Sequence, residues 1–325
     1  MFSKLTSNSL NLPKYSSIAL TAVAFTLCAA PNRVLGHGFE GDRFFPPTIQ
    51  TDDPFSTDEL NLPTISIFNN PAGDGSPKTR EIDISSEFDK EIFPGFALGI
   101  NAAYTVLQPK GGPQVSGWQN LSVSAKYQLL QVPAHEFIFS VGAEWEIGGS
   151  GRSSLVNNYS TVSPKIYFGK GFGDLPDSLE FLKPLALTGE FALDCPVRSL
   201  DSNVLEWGFA LEYSLPYLQQ HVKDVGLPRP FRDMIPLVEF AMQTPENRGP
   251  STTTGTINPG VLWESRFCQI GAEAIIPINR QTGPNIGAVI SVQIYIDDIF
   301  PKIFGHPLIG GGSNSFNSSS SGYSK

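Results

Sequence analysis

The most constraining feature of this sequence is a pair of alternating runs within residues 116–149. Apolar and polar side chains take turns from residue 120 to residue 129. After a break that contains Pro133, the alternation returns from residue 136 to residue 147. Successive side chains of an extended strand point to opposite faces, so a period of two predicts strands with one apolar and one polar face. The runs predict a β-hairpin, with Ile138 as the one apolar residue on the polar face.

Two architectures are compatible with this hairpin. Each run has the length that a tilted strand needs to cross a bilayer, about 9–11 residues, which indicates a membrane β-barrel. In the alternative, a soluble sandwich or barrel, the apolar face packs on a core. Composition favours the membrane barrel, because charged residues make up only 16% of the chain and mean hydropathy is -0.07. After residue 36 no apolar run reaches about 18 residues, the length of a transmembrane helix.

Similar alternating runs follow one another along the chain. The predicted strands span residues 63–69, 79–91, 95–107, 118–130, 135–148, 161–171, 184–194, 203–216, 234–243, 256–264, 267–277 and 285–297. Val289 is a second apolar residue on a polar face. An even count of about twelve is typical of single-chain bacterial barrels. We therefore expect an all-β fold, an antiparallel up-and-down transmembrane β-barrel over residues 62–297.

Segments of different composition flank the barrel. Residues 1–36 combine Lys4 and Lys14 with an apolar stretch and a cut site after Gly36, which predicts a signal peptide; a structural N-terminal helix is the alternative. Residues 37–61, rich in proline and acids, predict an irregular periplasmic segment, either free or tucked into the barrel mouth. Residues 298–325 form a C-terminal extension, expected to fold back over the periplasmic mouth and to end in a flexible, Ser-rich tail.

The predicted connections sort by length. With both termini in the periplasm, the inner turns at 92–94, 131–134 and 265–266 are short, whereas the outer loops are mostly long. This pattern is typical of outer-membrane barrels, so we expect a Gram-negative-type outer membrane, with its lipids as partners. The connections 172–183 and 217–233 break the rule. Each holds a helical turn or hides a missed strand.

The tryptophans fall near predicted strand ends. Aromatic rings with a polar tip favour the bilayer interface, whereas ordinary core aromatics are the alternative. The predicted interface aromatics are Trp118, Trp145, Trp207 and Trp263.

The hairpin also resembles a known family. The order Gly117-Trp118, Asn120-Leu121, Lys126-Tyr127, Pro133 and His135-Glu136 resembles the transporter-like outer-membrane family associated with phenol-degradation operons. The resemblance covers this hairpin well and the other strands only by pattern. It implies an outer-membrane channel, with hydrophobic or aromatic compounds among its candidate solutes, and it brings no catalytic residues.

The polar face of the predicted strands is mainly acidic. In a barrel this face lines the lumen, and carboxylates there concentrate cations. We expect a passive channel or transporter for small solutes, cations or hydrophobic compounds; the alternative is a structural or small-molecule-binding barrel with a blocked lumen. The predicted lumen-lining residues are Glu136, Glu144, Glu146, Glu190, Glu206, Glu212, Glu239, Glu273, Lys126 and Lys165.

Other function classes lack support in the sequence. The formal net charge of -9 argues against nucleic acid as a partner. A hydrolase needs a nucleophile, a His and an orienting acid at one rim, and no G-x-S-x-G motif accompanies His135, His221 or His306. Copper chelation by an N-terminal His37 would require a second His whose position nothing fixes. We expect no enzyme, no cofactor and no metal site.

Cys195 and Cys268 follow the predicted signal peptide, and neither has a CxxC neighbour. Export favours disulfides in general. In the predicted topology, however, these residues lie at opposite rims of an apolar band about 25 Å tall. Bonded cysteines need Cα atoms within about 7 Å, so we expect no disulfide between them.

Overall fold

The computed structural model describes residues 38–73, 77–198, 200–248 and 251–310. The predicted signal peptide, His37 and most of the predicted flexible tail lie outside these ranges.

The described chain is built almost entirely of strands. A small hairpin, β1 (Phe39–Glu40) and β2 (Arg43–Phe44), precedes the large sheet. The strands of that sheet are β3 (Glu59–Asn70), β4 (Thr79–Phe93), β5 (Phe96–Pro109), β6 (Val115–Trp118), β7 (Leu121–Val132), β8 (Phe137–Ile147), β9 (Thr161–Gly171), β10 (Leu185–Pro196), β11 (Val204–Tyr213), β12 (Met234–Pro245), β13 (Thr254–Glu264), β14 (Cys268–Pro277) and β15 (Gly287–Ile294).

Antiparallel pairing closes this sheet into a barrel. Each of the long strands pairs with its neighbours, β15 pairs with β3, and β6 pairs with one end of β5. The prediction of an all-β, twelve-stranded antiparallel barrel is confirmed. The strand β6, which occupies part of a predicted loop, is an addition to that prediction.

The two ends of the barrel differ. At one end, the turn end, residues 94–95, 133–136 and 265–267 connect strands tightly; the opposite end, the loop end, carries longer connections such as 148–160. The two long connections at the turn end contain helical turns rather than a missed strand. These turns span Asp177–Leu182, Leu215–Tyr217, Leu218–Val222 and Phe231–Asp233.

Some predicted boundaries need correction. β3 begins at Glu59 rather than near residue 62, because its first residues pair with both β15 and β4. β15 ends at Ile294 because a helical turn, Ile296–Ile299, follows it. Residues 305–309 then pack at the turn end, where the amides of Leu308 and Ile309 donate to backbone oxygens of β4.

The outer face of the barrel is apolar. Alternation along each strand points polar side chains inward and leaves large apolar side chains exposed outward, including Ile65, Ile84, Leu98, Ile100, Leu129, Val162, Ile166, Leu211 and Ile290. A contiguous apolar surface of this kind marks a contact with lipid or protein. Within the described ranges, no helix has the length and apolar character needed to cross a membrane.

Cys195 lies near the loop end of β10, whereas Cys268 opens β14 at the turn end. Cys195 carries a free thiol. The two residues therefore form no disulfide with each other, as predicted.

Candidate solute cavity and the segment that closes it

Residues 38–58, here called the inner segment, lie inside the barrel. The segment enters at the turn end, rises to the middle of the barrel and returns to the turn end before β3 begins. Pro46, Pro47 and Pro54 have no amide hydrogen to donate. Side chains of the barrel wall form hydrogen bonds with backbone groups of the segment. Gln269 donates to the Pro47 oxygen at 2.7 Å, and Ser140 donates to the Pro54 oxygen.

The top of the inner segment is held by one carboxylate of the wall. Glu239, buried on β12, accepts hydrogen bonds from the amides of Ile49, Gln50 and Thr51 at 2.7–2.9 Å. It accepts a fourth from the Thr51 hydroxyl at 3.0 Å. With these four hydrogen bonds, Glu239 is the main acceptor for this part of the segment.

The start of the inner segment is held by Arg43. This side chain is 0% exposed. Its Nε lies 3.2 Å from Glu136 Oε2, and it donates to the backbone oxygens of Lys183 and Pro184. Its guanidinium also lies 3.7 Å from the centre of the Tyr217 ring. Arg43 therefore ties the segment to the β7–β8 turn and to both long connections of the turn end.

Tyr217 and Glu136 complete this contact. The Tyr217 hydroxyl donates to Glu136 Oε1 at 2.9 Å, and the Gly173 amide donates to Oε2 at 3.0 Å. Burial, together with the neighbouring Glu136 carboxylate, raises the pKa of Tyr217 to about 12. Tyr217 therefore stays a neutral donor across the physiological pH range.

A buried acid lies next to this contact. Glu40 in β1 is buried, and burial raises its pKa, whereas a hydrogen bond from the Val132 backbone lowers it. The effect of burial is larger, and the pKa rises to about 7.

Contact with the inner segment explains one of the exceptions in the alternation. Ile138, the apolar residue on a polar face, packs inside the barrel with Phe45, Phe55 and Ala186. A second cluster joins Ile235, Leu237 and Leu262 of the wall to Phe44 and Ile49 of the inner segment. Inward apolar residues are thus concentrated where the segment covers them.

A polar cavity of about 280 Å³ lies between the inner segment and the wall. Its two lysines are already paired: Lys126 contacts Asp52 at 2.8 Å, and Lys165 contacts Glu144 at 2.7 Å. A second cavity of about 390 Å³ shares Glu190 and Glu206 with the first and continues past β11 to β13. The acids that line the first cavity are Asp52, Asp53, Glu59, Glu87, Asp89, Glu144, Glu190 and Glu206.

The predicted lumen residues fall into two groups. Lys126, Glu144, Lys165, Glu190 and Glu206 line the cavity. The others lie apart from it: Glu136 holds Arg43, Glu239 holds the inner segment, Glu212 and Glu273 are buried, and Glu146 accepts from Asn120 at 2.5 Å.

Sequence reasoning missed several cavity acids. Glu87 and Asp89 alternate on β4 within a longer series of inward acids that includes Glu81, Asp83 and Glu91. This alternation was available as a signal. Asp52 and Asp53 gave no such signal, because an irregular segment has no face that can be read from its sequence.

The four tryptophans lie near strand ends. Trp118, on β6 at the loop end, is 58% exposed and meets the Tyr104 ring edge-on at 5.5 Å. Trp145 and Trp207 lie in the loop-end halves of β8 and β11. Trp263 lies at the turn end, opposite Met234. Their role as interface aromatics remains a prediction.

Comparisons with known proteins concern the fold. No family model matches the chain, and no curated protein matches its sequence. Among solved structures, an outer membrane channel from Pseudomonas putida F1 is 11% identical, with a TM-score of 0.49, over 77% of this chain and 99% of that chain. The NanC porin is 8% identical, with a TM-score of 0.43, over 71% and 98%. The translocator domain of the autotransporter NalP from Neisseria meningitidis is 9% identical, with a TM-score of 0.41, over 73% and 87%. The chain forms an all-β, closed barrel of twelve antiparallel strands that resembles these outer-membrane barrels.

Proposed function

We propose that this protein is a passive outer-membrane channel for small solutes, with an acidic path that the inner segment closes at the turn end. The observation that carries the proposal is the cavity between the inner segment and the wall, lined by eight acids and two lysines. Carboxylates in a confined path concentrate cations and repel anions. We therefore assign small cations as the favoured solutes.

The apolar outer face supports the location. Outward Leu, Ile, Val and aromatic side chains suit the hydrocarbon of a bilayer, where a closed barrel leaves no strand edge unpaired. With the turn end in the periplasm, the long loops face outward. The secretory pattern of residues 1–36 supports export of the chain to that membrane.

A second candidate is a binding barrel with a permanently blocked lumen. The hydrogen bonds of Glu239 to three consecutive amides favour it, because they hold the inner segment across the path. The two candidates differ in one property. A channel releases or shifts this segment, whereas a blocked barrel retains it.

Planar-bilayer recording tests the proposal. Under a KCl gradient we expect openings whose reversal potential indicates cation preference. The double substitution Glu87→Gln and Asp89→Asn should reduce this preference, because it removes two cavity carboxylates without changing side-chain size. Anion preference in the unmodified protein would contradict the acidic path. Silence at every voltage would favour the blocked barrel.

A further inference from the structure

A group of buried polar side chains lies in the wall, apart from the cavity. On β12 and β13, Glu239 and Asn258 are direct cross-strand partners, so their side chains share the inner face. On β14, Glu273 is opposite Gly260, two residues along β13 from Asn258 and on the same face. Register thus brings two carboxyl groups and one amide together.

Gly260 lets Glu273 reach its neighbours. A Cβ atom at Gly260 would lie 2.4 Å from Glu273 Cγ, so the Glu273 side chain crosses directly over the glycine. This path takes it from β14 towards β12, where its carboxyl lies beside that of Glu239. The glycine is therefore what permits the two carboxyl groups to meet.

The group lacks the partners that burial requires. Asn258 is 0% exposed, and neither its amide nitrogen nor its amide oxygen has a hydrogen-bond partner. Glu273 is 4% exposed, and neither of its carboxyl oxygens has a donor. None of the ion pairs formed within the described ranges includes Glu239 or Glu273. Buried charges normally find a counter-charge or a metal ion.

We propose that Glu239, Asn258 and Glu273 hold a calcium-type cation between the wall and the inner segment. The atoms available as metal ligands are carboxyl and amide oxygens, which hard cations prefer. Two carboxylates match a double positive charge. Calcium takes about 6–8 oxygen ligands in flexible geometry, so water completes the set. Within the described ranges no three His, Cys, Asp or Glu side chains are grouped to hold a metal; the set proposed here is two carboxylates and one amide.

Such an ion would support the inner segment. Glu239 accepts from Ile49, Gln50 and Thr51 on one side and faces Glu273 on the other. A cation removes the repulsion between the two carboxylates while Glu239 keeps its bonds to the segment. Ion binding and retention of the segment are then linked. This site goes beyond solute passage and does not depend on it.

The test uses the whole folded protein in detergent, first stripped with a chelator and then titrated with calcium. We expect one bound calcium per chain by calorimetry and a rise in the unfolding temperature that saturates with binding. Magnesium should be less effective, because it demands a tighter octahedral shell. Conductance is not measured, so failure of the channel proposal would leave this result unaffected.

Matched variants decide the location. Glu273→Gln should abolish both the binding and the temperature shift, while folding is retained because the side chains have similar shape. Glu264→Gln is the control: it is also buried and accepts from Tyr295 at 2.7 Å, and it should keep the calcium response. An unfolding temperature that changes with pH but not with calcium would overturn the proposal, because a shared proton would then join the two carboxyl groups. An unchanged response in Glu273→Gln would overturn it equally.

Discussion

Removal of the inner segment is expected to convert the barrel into a wide, cation-preferring pore. A chain that begins at Thr57 loses Arg43, the apolar contacts of Phe45 and Phe55, and the residues that Glu239 holds. The strands and their closure remain, because the pairing of β3 with β15 begins at Leu60. Water then fills the lumen, and the inward acids face it directly.

Single-channel recording measures the conductance of the truncated protein. Conductance of the truncated protein should exceed that of the full chain several-fold, with cation preference. The control is heat modifiability on electrophoresis, which shows whether the truncated barrel is folded. Equal conductance of the two folded proteins would mean that the segment does not limit the path.

Replacement of Arg43 by Met is expected to cause the largest loss of stability from a single substitution. Glu136, itself buried, would lose its ion pair, and the oxygens of Lys183 and Pro184 would lose a donor. Breaking a buried pair on one side costs about 3–5 kcal/mol, because a charge is left uncompensated. Arg43→Lys should recover only part of this loss, since an ammonium group cannot reproduce the forked contacts.

Unfolding in urea and limited proteolysis of the inner segment measure the effect. Lys183→Met is the control, because the Lys183–Asp177 pair lies at the surface and exposed pairs contribute about 0–1 kcal/mol. If Arg43→Met and Lys183→Met caused equally small losses of stability, the contact of Arg43 with Glu136 would not hold the segment.

The strands were predictable because alternation is typical of a strand with one apolar and one polar face. Spans such as 161–171 coincide with the strand in the structure. The predicted turn lengths distinguish the turn end of the barrel from the loop end. The exceptions on the polar face also carried information. Ile138 is apolar because it packs on Phe45 and Phe55, and an inward apolar residue in a polar lumen indicates that something covers it.

The inner segment could not be placed from sequence. Its contacts are made by backbone groups, such as the amides that Glu239 accepts, and backbone amides carry no sequence signal. The site of Glu273 was equally hidden, because its approach to Glu239 depends on register and on the space above Gly260. The sequence of a single strand contains neither the register nor the space above the glycine.

The most direct test of closure by the inner segment is a disulfide that locks the segment to the wall. A Cβ atom at Gly208 would lie 3.4 Å from Thr51 Cβ, close to the separation of about 3.5–4.5 Å found in disulfides. Thr51→Cys with Gly208→Cys, in a Cys195→Ser background, should therefore cross-link on oxidation. We predict that the oxidised protein is silent in planar bilayers and that reductant restores the openings of the unmodified protein. Equal currents before and after reduction, with the cross-link verified by mass, would contradict closure by the inner segment.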